Sequence, residues 1–470
     1  MKKPYPMTRW LSVLILSAGL GHVANLAHAA RCSEDLLADK ADKSAGGKAL
    51  SKLATAPKVD VPEMPLDPIT QLQMIAREAG SRSASLGAAR LLSEAAEYDV
   101  AETKAGQWPQ VSVNGSLMSS STQADTAAAN RLKQASLSLN VQASLYDGGR
   151  LNQLTKYRQE VWGAAKWGAA VTHEQVVLEA ISAALERSRY KLHAQVYQQY
   201  MRKMGCLVEA LESIVAEDKG RGSELVQVRK TQAQTELQRD QALSQSRQSE
   251  FKLRKFVGDL QVPGEGITLP LAVVPEIGEI NRQIEFGNDA QQLRVQADAM
   301  DSYAKAVVAG QRPQLNWNVG KTQLRQGSTP VSSWQAGVTV SYSLFNGFSD
   351  EAASQAANKR AQAARAQLSD LLNTKYARTS EVYDVATSAF ERAKRYVDVL
   401  RDSERVRNFT FQQWSQIGKR SLFDVMSAES DHFNIRIAYV NALYDGYQAS
   451  AQLRSMGSGL TTWLLPEQQR

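Results

Sequence analysis

The sequence predicts a mainly α-helical chain with membrane-type β-strands: an internally duplicated unit, three copies of which form a twelve-stranded β-barrel, four strands per chain, continued by a long α-helical coiled-coil barrel. The first observation is the stretch 135–145. Leu137, Leu139, Val141, Ala143 and Leu145 fall on one side of an extended backbone, and Ser136, Ser138, Asn140, Gln142 and Ser144 on the other. The polar side is uncharged and the length suits a tilted membrane-crossing strand. Residues 111–117, 315–319 and 334–344 alternate in the same way, which makes two hairpins, 111–145 and 315–344.

The second observation is a repeat. Gly106-Gln107-Trp108-Pro109-Gln110 returns as Gly310-Gln311-Arg312-Pro313-Gln314 at an offset of 204, and Leu145-Tyr146-Asp147-Gly148 as Leu344-Phe345-Asn346-Gly347 at 199. Gly220-Arg221-Gly222-Ser223 returns as Gly418-Lys419-Arg420-Ser421 at 198, and Phe251-Lys252-Leu253-Arg254 as Ala451-Gln452-Leu453-Arg454 at 200. A near-constant offset at four landmarks means one architecture used twice.

The third is a helical run from Gly149 to about Glu217 without proline. Its positions Tyr190, Ala194, Tyr197, Met201, Met204, Val208, Leu211 and Val215 step by 4 and 3, the seam of a coiled coil. At ~1.5 Å per residue such a helix is on the order of 100 Å long. No bilayer is that thick, so the helix projects into water.

In order, residues 1–29 read as a signal peptide: Lys2, Lys3 and Arg9, an apolar run, and Ala27-His28-Ala29 as the cleavage site. Arg31 stands where a lipid-anchor signal needs a small residue, so Cys32 is not read as an anchor. Residues 30–66, rich in Lys, Ala, Pro and Asp without periodicity, form an N-terminal extension. The first repeat spans 67–258. Asp67-Pro68 starts a helix that ends near Gly106, residues 119–134 form a small, polar hairpin loop, and the long helix reverses at residues 218–223, where Ser223 caps the next helix. Residues 259–286, with Pro263, Gly264, Gly266, Pro270 and Pro275, form the equatorial bridge. The second repeat spans 287–460, with a helix from Asp350 to about Gln416, a reversal at 418–421, and a seam of Phe433, Ile437, Val440, Tyr444, Tyr447 and Ala451. Residues 461–470 remain as a tail.

Composition excludes several functions. Removing residues 1–29 lowers the formal charge from +7 to +4, too little over such a length to argue for nucleic acid. The histidines left, His173, His193 and His432, form no ligand-spaced cluster, and there is no phosphate loop or nucleophile elbow, so neither a cofactor, a metal nor an enzyme activity is expected. The cysteines, Cys32 and Cys206, could pair in an oxidising compartment or stay as two unrelated thiols. Four spanning strands cannot close, and an open edge in hydrocarbon leaves backbone groups unsatisfied at several kcal/mol each. Two copies would make a small filled barrel and three a wider one with a lumen; a homotrimer is expected.

The run 418–428, Gly-Lys-Arg-Ser-Leu-Phe-Asp-Val-Met-Ser-Ala, with Phe433-Asn434 and Ala442-Leu443-Tyr444, resembles the TolC family of outer-membrane efflux and secretion channels. The resemblance covers residues 67–460, including helix-strand-strand-helix-helix occurring twice. It implies a trimer in outer-membrane lipid whose periplasmic helical ends open like an iris on docking with a periplasmic adaptor protein and an inner-membrane pump. By position it makes Arg420 the arginine that ties neighbouring coiled coils and Asp424 one of two ring aspartates. The second ring position is Ser427, the family's tip tyrosine is Ser415, and the pair that receives the tip links is Leu225-Val226. Arg420 therefore needs another acceptor, for which Glu217, Asp218 and Glu224 are candidates. Gly220, Gly222, Ser223, Gly418 and Ser421 form the tip turns expected to dock the adaptor. The leading expectation is a type I secretion channel exporting a polypeptide with an ABC transporter; the alternatives are multidrug efflux and, in another class, a coiled-coil structural or adhesive surface protein.

Overall fold

The computed structural model describes residues 67–124, 127–259, 267–326, 329–417 and 419–466. The signal peptide 1–29, the extension 30–66 with Cys32, and Gly418 lie outside the described residues. Helix α1 is Pro68–Arg82, with Asp67 at its cap position but no capping bond from that side chain. Ser83 then interrupts the helical run expected to continue to Gly106. Its hydroxyl accepts the Leu86 N–H at 3.3 Å and starts α2, Ala84–Ala105.

Strands β1, Gln110–Ala124, and β2, Ala127–Tyr146, extend well beyond the alternating core of the first hairpin. Residues 119–134 were expected as a loop, but most of them are strand. Backbone pairing runs on from Ser119↔Lys133 through Thr122↔Asn130, and a ladder needs no apolar side chain to continue. Helix α3, Arg150–Glu217, is followed by a 3-10 turn at Lys219–Arg221 and by α4, Gly222–Val257. After the bridge come α5, Ile277–Gln283, and α6, Asn288–Gly310. Strands β3, Gln314–Gln326, and β4, Thr329–Ser341, lead to α7, Ser349–Gln412, then to α8, Leu422–Met456, and α9, Leu460–Leu464.

Helix-strand-strand-helix-helix thus occurs twice, and the likeness extends to single hydrogen bonds. Asp147 accepts the N–H groups of Gly149 at 2.9 Å and Leu151 at 2.6 Å before α3; Asn346 accepts that of Asp350 at 3.4 Å before α7. Both turns put two consecutive residues in the left-handed region, Gly148 and Gly149 in one, Gly347 and Phe348 in the other. Arg312 donates to the Gly148 carbonyl at 3.0 Å and so joins the bases of the two hairpins.

The four strands form one antiparallel sheet in the order β1-β2-β3-β4. Residues directly opposite one another share a face, so the register sorts the side chains. Val113, Leu139, Lys321 and Trp334 form one row; Val111, Val141, Val319 and Ala336 form the next. The other face carries Ser112, Asn114, Ser138, Asn140, Asn318, Thr322 and Thr339.

The chain divides into two compact units. One includes Leu66–His193, Ala242–Glu404 and Asn434–Arg470. In its core, Leu72, Ile75 and Ala79 of α1 pack with Val177, Ile181 and Leu185 of α3, Leu253 of α4, and Val440, Tyr444 and Ala451 of α8. Leu460, Leu464 and Leu465 join this core, so the segment expected as a tail begins as a docked helix. Glu174 anchors it by accepting the N–H groups of Leu460 and Thr461. The other unit includes Ala194–Gln241 and Arg405–Phe433. Of the expected α3 seam, Ala194, Met204 and Leu211 are buried there, whereas Tyr197, Met201 and Val208 are half-buried and Val196, Tyr200 and Leu207 are buried in addition. Among the described residues no helix is long and apolar enough to cross a membrane.

Candidate functional site

The site is the unit that holds both helix reversals. In the first, the Asp218 carboxylate accepts the Gly220 N–H at 2.9 Å and starts the 3-10 turn that runs directly into α4. Ser223 therefore lies within the first turn of α4 and does not cap it. Arg221 pairs with Glu224 at 2.9 Å, and one level further from the turn Arg229 of α4 reaches Glu212 of α3 at 2.5 Å.

In the second reversal the chain leaves α7 through a π turn, Gln413–Ile417. The Lys419 N–H returns to the Gln413 carbonyl at 3.1 Å, and Arg420 Nε donates to Gln413 Oε1 at 3.1 Å. Ser421 and Asp424 make a reciprocal capping box: the Asp424 N–H donates to Ser421 Oγ at 3.2 Å, while the Ser421 N–H and hydroxyl each donate to Asp424 Oδ2 at 3.0 Å. These bonds, with Arg420 nearby, hold the Asp424 carboxyl below the usual carboxylate range.

The expected link from Arg420 to Glu217, Asp218 or Glu224 is not made within the protomer. Gln413 lies on Arg420's own reversal and accepts from it, Glu224 is engaged by Arg221, and Asp218 caps its own turn. Glu217 and Ser427 are exposed. The structure brings Arg420, Ser421 and Asp424 together on one turn and keeps Asp218, Gly220, Gly222, Ser223 and Glu224 on the other. Cys206 of α3 is disulfide-bonded.

Further from the turns lies a cluster that the sequence reading missed. The Glu429 side chain of α8 is 1% exposed, 3.8 Å from Lys203 Nζ of α3 and 3.7 Å from Arg407 Nη1 of α7. These are ion-pair rather than hydrogen-bond distances. Burial pushes the Glu429 carboxyl up, and the charges of Arg407 and Lys203 oppose that rise. The Lys203 ammonium also lies 4.9 Å from the ring centre of Phe411 on α7, and Tyr200 of α3 stacks on Phe433 of α8 at 4.7 Å. First-repeat and second-repeat helices are thus joined by a buried charge and an aromatic stack. Among the described residues no group of side chains could hold a metal ion.

A family model described as outer membrane efflux protein matches residues 75–259 and 287–458. Among solved structures, the outer membrane protein VceC of Vibrio cholerae is similar with a TM-score of 0.70 at 17% identity, over 83% of this chain and 97% of that one. The open state of the MtrE outer membrane channel of Neisseria gonorrhoeae matches with a TM-score of 0.66 at 12% identity, over 87% and 96%. CusC, described in terms of transmembrane channel formation, matches with a TM-score of 0.73 at 17% identity, over 84% and 93%. At these identities the likeness establishes the fold. No curated protein matches.

Proposed function

The chain belongs to the outer membrane efflux protein family, a non-enzymatic transport protein of the outer membrane with periplasmic helices, and from that premise we propose that it is the channel of a type I secretion system. In this reading three copies join β1 of one to β4 of the next, giving twelve strands around a lumen lined by the uncharged face. The observation that carries the channel reading is the two-faced sheet with unpaired outer strands. In hydrocarbon, those edges are satisfied only by closure with further copies.

The periplasmic end takes an adaptor protein on the turns around Gly220, Gly222, Ser223 and Ser421, and through it an inner-membrane ABC transporter. Asp424 lines the narrow end as a single acidic ring, since Ser427 occupies the second ring position. Arg420, whose bond to Gln413 uses only one of its five N–H groups, turns the others to a carboxylate of the neighbouring protomer. The Glu429 cluster holds the second-repeat helices against α3 in the closed state. We infer further that Cys206 is bonded to Cys32, the one other cysteine in the chain, which leaves no thiol for a lipid anchor.

Polypeptide cargo is favoured by the lack of a lipid-anchor signal at Cys32, while the family description favours a second reading, efflux of small molecules. Deleting the gene separates them. Loss of one polypeptide from the culture medium with unchanged sensitivity to toxic small molecules supports secretion; the reverse pattern overturns it in favour of efflux. Absence of conductance from the purified protein in a planar bilayer would point instead to a structural stalk.

A further inference from the structure

The four strands contain four basic residues and no acidic one, and every charge with a described side chain, Lys133, Lys321 and Arg325, lies on the apolar face. That placement is unexpected. The uncharged polar face would accept a cation without cost, whereas a cation at the lipid midplane is strongly disfavoured and one at the interface is not. Lys321 stands opposite Leu139 and Trp334, Arg325 opposite Ala135 and Pro330, and Lys133 opposite Ser119. Lys133 and Arg325 occupy the hairpin end of the sheet, away from the helices, which join at Gln110, Tyr146, Gln314 and Ser341, whereas Lys321 stands near the middle of β3. Lys321 lies lowest of the three, with its ammonium 5.1 Å from the ring centre of Trp334, a side chain 71% exposed. A long aliphatic stem running past an interfacial aromatic lets such a cation rise to the headgroup layer.

We propose that Lys133, Lys321 and Arg325 form a binding surface for the phosphate groups of anionic lipid in the outer leaflet, repeated around the barrel. The proposal rests on the barrel reading above. Among the described residues no carboxylate pairs with any of the three, so their charge is available to a ligand. The rows beneath Lys321, Val111 with Val141 and Val319, and Ala143 with Trp317 and Val338, are apolar and meet acyl chains. One molecule with an anionic head and apolar tails fits both zones; a free phosphate fits only one. Each cation at a membrane surface contributes about a fivefold preference for anionic over neutral lipid.

The test uses the full mature protein, with the temperature at which the trimer dissociates as the readout. It is measured in phosphatidylcholine vesicles with and without about one third phosphatidylglycerol, a fraction set so that each cation's preference registers. The wild type is expected to be stabilised by the anionic lipid. The variant Lys133→Gln/Lys321→Gln/Arg325→Gln should lose the response, and Lys359→Gln/Arg360→Gln/Lys394→Gln, which removes equal charge from exposed helix positions, should keep it. Equal responses in both variants overturn the proposal. Stabilisation of the detergent-solubilised wild type by inorganic phosphate to the same extent overturns the lipid as the source. A wild type that inserts and trimerises with no lipid dependence defeats this proposal alone, whereas a protein that forms no trimer defeats the barrel reading.

Discussion

Arg407 of α7 reaches the Glu429 carboxylate of α8 at 3.7 Å, at a position where that carboxylate is 1% exposed. The pair lies within the second-repeat coiled coil, and Lys203 extends it to the first repeat. Arg407→Gln leaves a buried carboxylate with one cation, and is expected to cost about 2 to 3 kcal/mol, below the usual loss for a broken buried pair because Lys203 stays. The pH dependence has a definite sign. The Glu429 carboxyl is already raised by burial, and losing a cation raises it further. Stability from a raised carboxyl is full below its unfolded value and is lost as pH rises through the folded value. The variant should therefore be weakest near neutral pH and approach wild type on acidification. Hydrogen exchange of the segments around Lys203 and Glu429 at two pH values measures this; a deficit that grows at low pH would show that the carboxylate is not the cause.

Asp424 closes the capping box of α8 and, in the proposed channel, also forms the acidic ring; one pair of variants separates the two roles. Asp424→Asn removes the charge and weakens the capping box, with an expected loss of about 1 kcal/mol at the start of α8. It should also weaken cation selectivity and block by multivalent cations, since a charged ring concentrates cations in a narrow throat. Ser421→Ala weakens the same cap and leaves the charge. Single-channel recordings in which Ser421→Ala alters selectivity as much as Asp424→Asn would locate the effect in the helix start rather than the ring. Arg420→Ser should raise conductance by releasing the inter-protomer tie, because partly exposed pairs worth up to about 1 kcal/mol each act three times in the trimer.

What could be read in advance follows from what a side-chain pattern records. The alternation in 135–145 and the constant repeat offset gave the hairpins and the duplication, because each is written in residue types. The outer parts of the hairpins were not legible, since Ser119, Ser120, Ser121 and Thr122 offer no apolar contrast and are held by backbone pairing. The break at Ser83 is a single capping hydroxyl inside an alanine-rich run. Glu429 did leave a signal: it lies four residues from both Val425 and Phe433, which are buried, so a charge stands on an apolar stripe. Its cations come from α3 and α7, and no spacing within α8 announces them. Within one protomer Arg420 donates to Gln413 on its own turn, a partner that no spacing in the sequence announced.

The membrane face is open to a direct test. Val141 and Val338 lie on the apolar face, and Ser138 and Thr339 on the other. Arginine at Val141 or Val338 should cost about 2 to 4 kcal/mol, and arginine at Ser138 or Thr339 should be accepted in the lumen. Trimer yield after refolding into vesicles reads the difference. Equal losses for both sets would reverse the assignment of faces.

Cys206 gives a covalent prediction. Non-reducing digestion should yield one peptide pair joining the segments around Cys32 and Cys206, and alkylation without reduction should label neither. The bridge would close a loop of more than a hundred residues, a constraint worth up to about 4 to 5 kcal/mol in the chain-entropy account. Cys206→Ser should therefore lower thermal stability, while two labelled thiols in the exported protein would dispose of the pairing.

Phe348 carries a backbone cost that its repeat partner avoids. Its φ is 66°, and the equivalent Gly149 sits at 85° in the same strand-to-helix turn. A side chain in the left-handed region costs about 1 to 2 kcal/mol, which glycine escapes. The Phe348 ring is 71% exposed and meets Phe345 edge-on at 5.5 Å, so removing it loses an aromatic contact as well as altering the strain. Two variants separate these effects. Phe348→Ala removes the ring and keeps the strained backbone; Phe348→Gly removes both. The glycine variant is expected to be the more stable of the two by about 1 kcal/mol per chain, the lower end of that cost. The reverse change, Gly149→Ala, should cost a similar amount, because a Cβ there would meet nothing within 4 Å and only the backbone would be strained. Melting of the trimer in detergent measures all three. If Phe348→Ala and Phe348→Gly melt together, the left-handed turn carries no strain, and the aromatic residue at this position needs no compensating contact with Phe345 or with the membrane interface.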